Sequence, residues 1–205
     1  LFRSLRLLKW HIRTYFILLL CATLGASAQS NRPKTLIGNN PETISGFGGV
    51  LFSFMPIDGD LSALSGGGGA VLFDNTFFFG GYGMGLTGNH EFDRDGASYT
   101  TSFGHGGFWM GYNIKSDDLL HFGVESRLGW GSMTTKSIDT NEEVNKDEVF
   151  IFNPQVFGEV NISYWFKINA GIGYQKTIGV DNQFFNETDF DGPTFGISLL
   201  FGWFN

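Results

Sequence analysis

Three histidines, His90, His105 and His121, could act as general bases if a serine and an acid lay beside them. No Ser/His/acid set falls at a spacing that would assemble one. Of the three, His105 shares its alternation face with Phe103 and Trp109, while Ser102 points the other way. The run Gly66-Gly67-Gly68-Gly69 suggests a phosphate cradle, but Ala70-Val71-Leu72 follows where Gly-Lys-Ser/Thr and a helix start are required. Asp93-Arg94-Asp95-Gly96 and Asp189-Phe190-Asp191-Gly192 match the opening of a calcium loop. The twelfth positions are Gly104 and Leu200 instead of glutamate, so these segments, with Asp58-Gly59-Asp60, read as solvated turns. Weak bridging of divalent cations at a phosphorylated surface is the alternative. The densest charge set on regular alternation is Glu125, Arg127, Glu159 and Lys167. No residues are assigned to catalysis, a cofactor or a metal.

The first 28 residues have their own character. Arg3, Arg6, Lys9 and Arg13 precede an apolar run from Tyr15 to Leu24, and Ala26-Ser27-Ala28 follows as a small-x-small cleavage pattern. This is the layout of a secretory signal peptide, with cleavage expected before Gln29. The apolar run is about half of the ~20 residues a spanning helix needs. Removing the leader takes four of the 13 Lys/Arg, none of the 20 Asp/Glu and the single cysteine, Cys21. The remainder is strongly acidic, which argues against nucleic acid as a partner. It also lacks any thiol for disulfides or Cys-based metal sites.

Residues 29–43 are polar, aperiodic and carry two prolines, and read as a flexible periplasmic lead-in to a domain over 44–205. From Ile44 onward the pattern has a period of two, the signature of strands with unlike faces. Phe195, Ile197, Leu199, Phe201 and Trp203 alternate with Gly196, Ser198 and Gly202. Phe166, Ile168, Ala170, Ile172 and Tyr174 alternate with Lys167, Asn169, Gly171, Gly173 and Gln175. Leu120, Phe122, Val124, Leu128 and Trp130 alternate with His121, Gly123, Glu125, Arg127 and Gly129. Turn signals divide the chain into eight strands, near 44–54, 65–73, 76–88, 99–113, 119–132, 149–161, 165–178 and 192–204. Short links (74–75, 115–118, 162–164) alternate with long ones (55–64, 89–98, 133–148, 179–191), which puts all the long loops at one end of an up-and-down sheet.

Mid-strand charges suit a narrow polar lumen where they can pair, and aromatics gathered near strand ends suit interfacial girdles. The expected fold is therefore all-β, an eight-stranded antiparallel up-and-down transmembrane β-barrel. In strand three, Phe78, Tyr82, Met84 and Leu86 are expected on the lipid face, with Gly81, Gly83 and Gly85 towards the lumen. Pro154 falls mid-strand, where a bulge near Asn153-Pro154 or a shorter strand would accommodate it.

Over residues ~44–205 the chain resembles small Gram-negative outer-membrane β-barrels of the OmpA membrane domain, OmpX and OmpW kind, many of them uncharacterised. Phe195-Gly-Ile-Ser-Leu-Leu-Phe-Gly-Trp-Phe204 is similar to the terminal signal read by the barrel-assembly machinery, except that Asn205 follows the aromatic residue. The resemblance implies an outer-membrane location with periplasmic termini, a monomer, and contact with membrane lipid and lipopolysaccharide. It implies a structural or surface-interaction role through the loops, with no catalysis. A narrow pore for small solutes, a lipid-modifying barrel enzyme and a soluble secreted β-barrel binding protein are the alternatives. For the enzyme, His105 would be the residue to test first. Glu125, Arg127, Glu159 and Lys167 are expected to form a structural charge network in the lumen.

Overall fold

The computed structural model describes residues 43–204. The leader and the lead-in up to residue 42 lie outside the described residues. Nine strands follow one another: β1 (Ile44–Ile57), β2 (Asp60–Phe73), β3 (Phe77–Leu86), β4 (His90–Arg94), β5 (Ala97–Ile114), β6 (Leu120–Ser137), β7 (Glu143–Ser163), β8 (Phe166–Ile178) and β9 (Gly192–Gly202). All pairings are antiparallel. The order runs β1-β2-β3-β5-β6-β7-β8-β9, and β9 returns to β1 from Phe47↔Gly202 to Phe54↔Phe195. β4 pairs only with β5 and continues the line of β3 above the ring. Nine strands thus make eight staves of a closed barrel, which leaves no edge within the ring.

Alternation sets the wall. Along β9, Thr194, Ser198 and Leu200 are buried while Phe195 and Phe201 are exposed; along β8, Lys167, Asn169 and Gln175 are buried while Ile172 and Tyr174 face out. Rings mark the end of the barrel where the described residues begin and end, with Tyr164 and Trp203 at 70% and 73% exposure. Asp74 and Asn75 turn there with φ of 51° at both, the two positive angles a type I′ hairpin needs.

Three expectations are corrected. First, most of the long loops are strand. β1 and β2 join directly through Asp58-Gly59 (φ 50° and 85°), and β4 and β5 through Asp95-Gly96 (φ 54° and 79°). Both are Asp-Gly dipeptides, which adopt the paired positive φ of a type I′ turn and extend the ladder beyond the apolar segment. β6 and β7 likewise continue to Ser137 and from Glu143. Only 179–191 stays irregular, around a short 3-10 turn at Glu187–Phe190.

Second, β3 faces the other way. Phe78, Tyr82 and Met84 are buried in the lumen, whereas Phe79 is 43% exposed and Gly81 and Gly83 lie on the outer face. Three consecutive phenylalanines carry no face signal, and packing decides: Phe78 stacks edge-on against Trp109 and Phe47, at 5.3 and 5.5 Å between ring centroids. Third, Pro154 causes neither a bulge nor a break. Pairing to β6 is continuous through Ser126↔Pro154. Pairing to β8 lapses only at Asn153 and Pro154, and resumes in the same register from Gln155↔Gly173. The missing N–H costs one local rung, and the neighbouring rungs hold the register. Bulges occur instead at Thr135/Lys136 and Asn161/Ser163.

Segment 179–191 folds over the barrel mouth. Val180, Phe185 and Phe190 are buried there, Phe190 against Phe103 and Phe185 against Phe92. Arg94 donates to the carbonyls of Gln183 and Phe184 at 2.8 Å each, the Asp58 N–H to that of Asp189 at 2.9 Å, and the Thr177 hydroxyl to that of Phe190 at 2.9 Å.

The two faces of β3 give opposite outcomes for one chemical change. A Cβ on Gly80 would collide with the Gly69 carbonyl and with Ala70, whereas one on Gly83 meets nothing within 4 Å. Gly80→Ala is expected to lose about 1–3 kcal/mol to overpacking and Gly83→Ala to be neutral, as read by urea titration of the barrel refolded into lipid vesicles.

Candidate functional site

The polar interior is built by β6, β7 and β8. Glu125 and Arg127 stand two apart on β6 and so share its inner face; the Arg127 Nη2 donates to Glu125 Oε1 at 2.8 Å, with both side chains at most 3% exposed. From β5, opposite Arg127, the Trp109 indole N–H donates to Glu125 Oε2 at 3.1 Å. The guanidinium carbon lies 5.7 Å from the Trp109 ring and 6.0 Å from that of Tyr82, within cation–π range of both.

A second cluster lies nearer the termini. Register sets His121 directly opposite Glu159, and Lys167 reaches Glu159 from β8. The Lys167 Nζ and His121 Nε2 each lie 3.0 Å from Glu159 Oε1, and His121 Nδ1 lies 3.2 Å from the Asp118 carbonyl. The Lys167 ammonium also sits 4.4 Å from the Phe204 ring centroid, tying Phe204 to the interior. Further up, Asn153, Gln155 and Thr194 form a neutral group in which the Gln155 amide donates to Asn153 at 2.9 Å.

The four charged residues expected together are thus all interior, but they form two pairs. Trp109, Asn113 and Asn169 stand around the same small void as Glu125, Glu159 and Lys167, and its roughly 10 Å³ is about the volume one water needs. Sequence reasoning placed His121 on this face but gave it no partner, and it did not foresee Trp109 as a ligand of Glu125. The alternation that carried Glu125 also carries His121; the Trp109 contact depends on the β5–β6 register, which no local pattern reports.

His105 is buried in the lumen with Nδ1 3.0 Å from the Tyr82 hydroxyl, and its Nε2 has no hydrogen-bond partner among the described residues. Ser102 lies on the outer face, bonded to the Thr134 carbonyl. Among the described residues no group of three or more His, Cys, Asp or Glu is arranged to hold a metal. The interior can therefore fix charge and exclude water. His105 is thus partnered by the Tyr82 hydroxyl and separated by the barrel wall from Ser102.

The sequence pattern of the outer membrane protein beta-barrel domain matches residues 61–203. Among solved structures, Neisserial surface protein A is similar at 6% identity with a TM-score of 0.52, over 79% of this chain and 97% of that one. The N-terminal β-barrel domain of Pseudomonas aeruginosa OprF matches at 11% identity and a TM-score of 0.49, covering 78% and 97%. Ail, the attachment invasion locus protein of Yersinia pestis, matches at 15% and 0.44, covering 78% and 96%. No curated protein matches at a significant level.

Breaking one pair should cost more than replacing it. Arg127→Met strands Glu125 in the lumen and is expected to destabilise by about 3–5 kcal/mol, whereas Arg127→Met with Glu125→Gln recovers most of that loss. Equilibrium urea unfolding of the two variants in lipid vesicles measures the difference.

Proposed function

The chain belongs to the outer membrane protein beta-barrel domain family, and on that premise we propose that it serves the outer membrane through its surface and not through its lumen. The observation that carries this reading is charge asymmetry between the ends. The outer parts of the β1–β2, β4–β5 and β6–β7 hairpins (55–64, 89–98 and 133–148) with segment 179–191 hold fourteen of the 20 Asp/Glu and only three Lys/Arg. The other end is formed by tight turns and the termini. In this reading the acidic end faces outward and the termini lie in the periplasm.

The protein is then a structural, surface-interaction barrel without catalytic activity, acting as a monomer. Its partners at the outer end are cationic surfaces, which a field of this sign attracts over a Debye length of about 8 Å at physiological salt. The apolar wall contacts membrane lipid and lipopolysaccharide, and the Phe195–Phe204 segment is the one presented to the barrel-assembly machinery. The filled lumen supports a non-conducting role: Trp109 and Arg127, opposite one another on β5 and β6, are 0% and 3% exposed, and Met133 is fully buried nearer the mouth.

The barrel in vesicles is expected to migrate differently before and after boiling and to bind polylysine-coated beads, with binding lost as salt is raised. It should give no discrete conductance steps in a planar bilayer. Discrete steps together with salt-independent binding would overturn the reading.

A further inference from the structure

The staves that close the ring do not stay closed along their length. Pairing between β1 and β9 ends at Phe54↔Phe195. Continued by two residues, the same register would set Pro56 opposite Pro193, and neither has an N–H to offer. Pro56 nevertheless remains beside β9, since a Cβ on Gly192 would lie 2.7 Å from its ring. Above Phe54 each strand keeps its other partner: Pro56 pairs with Leu61 of β2, and Pro193 with Tyr174 of β8. The seam therefore parts where two backbone donors are already missing. Elsewhere in hydrocarbon a parted seam would strand N–H groups at several kcal/mol each.

A groove of about 610 Å³ lies on the outer wall across this unpaired stretch of the seam, from β2 to β7. Phe54, Leu61, Val156, Ile172 and Phe195 form its walls, and the buried Thr194 lies at its floor. Leu61, Val156 and Ile172 are 79%, 54% and 63% exposed, so the groove is continuous with the lipid-facing belt. Its upper rim is polar: Lys176, the next outward position after Tyr174 on β8, pairs with Asp191 at 2.6 Å. Apolar walls under a charged rim match a lipid whose chain enters the wall while its ester and head groups remain at the rim.

We propose that the β1–β9 seam is a binding site for one acyl chain of a bilayer lipid. The proposal rests on the membrane reading above. Native mass spectrometry of the full chain, extracted in mild detergent and titrated with dimyristoyl phosphatidylethanolamine or with free myristate, tests it. One bound phospholipid per barrel is expected, with weaker uptake of myristate. Leu61→Trp narrows the groove from an exposed position and is expected to weaken phospholipid binding about tenfold, equivalent to roughly two buried methylenes. Pro56→Val with Pro193→Val, which restores both donors and lets the seam pair, should do the same.

Undiminished phospholipid binding in both variants overturns the site, as does preferential uptake of myristate or a lipid-free dimer seated on this face. Heat-modifiable mobility, read in parallel, reports the barrel independently. A heat-modifiable protein with unchanged lipid occupancy sinks the groove and leaves the barrel standing.

Discussion

Within hydrocarbon no water is available to an unpaired backbone N–H or C=O, so a strand there must find partners on both sides. That requirement closes β9 onto β1 and makes the short β4 a continuation of β3 above the ring instead of a ninth stave. It also accounts for where the wall tolerates interruption. The lapse at Pro154 and the parting above Phe54 both occur at prolines, residues with no donor to strand. Bulges lie near the ends of pairing, at Thr135/Lys136 and Asn161/Ser163, close to where water or turn residues can take over.

Closure at eight staves then dictates the interior, because a ring of this size is only wide enough for its own side chains. The lumen is divided. On the β1–β5 side it is a small apolar core of Phe47, Leu51, Leu72, Phe78 and Trp109; on the β6–β8 side it is charged. Trp109 joins the halves, offering ring edges to Phe47 and Phe78, its face to Arg127 and its N–H to Glu125. Each interior charge is held by an opposite charge and at least one further contact, and removing one partner would leave the other buried and uncompensated.

Much of this is legible in the sequence, and the failures have physical causes. β6, β8 and β9 each alternate apolar and polar or small residues with only single exceptions, Ser126 and Leu200, so stave number, direction and facing follow from composition and turns. β3 fails because glycine contributes nothing to either face and Phe77-Phe78-Phe79 contributes equally to both. Its facing is set by the rings it meets on β1 and β5, far away in sequence. The hairpin extensions were hidden because polar turn residues crowd their tips and read as loop, although Asp58-Gly59 and Asp95-Gly96 are turn signals in plain view and Met55, Ile57 and Leu64 continue the buried face. Of the interior charges, type and face could be read. That Glu159 meets Lys167 and His121 depends on register and could not be.

The glycines follow from the same constraint of diameter. A Cβ on Gly111 would run into the Phe78 ring, one on Gly123 into the Phe157 ring and one on Gly129 into the Tyr82 hydroxyl. On Gly68 it would lie 3.2 Å from the Trp109 ring and 2.8 Å from the Gly81 carbonyl. These inward glycines leave the space across which neighbouring aromatic side chains lie. A barrel filled with alanines at those positions could not hold Phe78, Tyr82 and Trp109, and without Trp109 the Glu125 carboxylate loses a donor. The glycine run at 66–69 is therefore coupled to the charge pairs across the lumen. Its inward members make room for the aromatic plug, and the plug positions the groups that keep the buried charges satisfied.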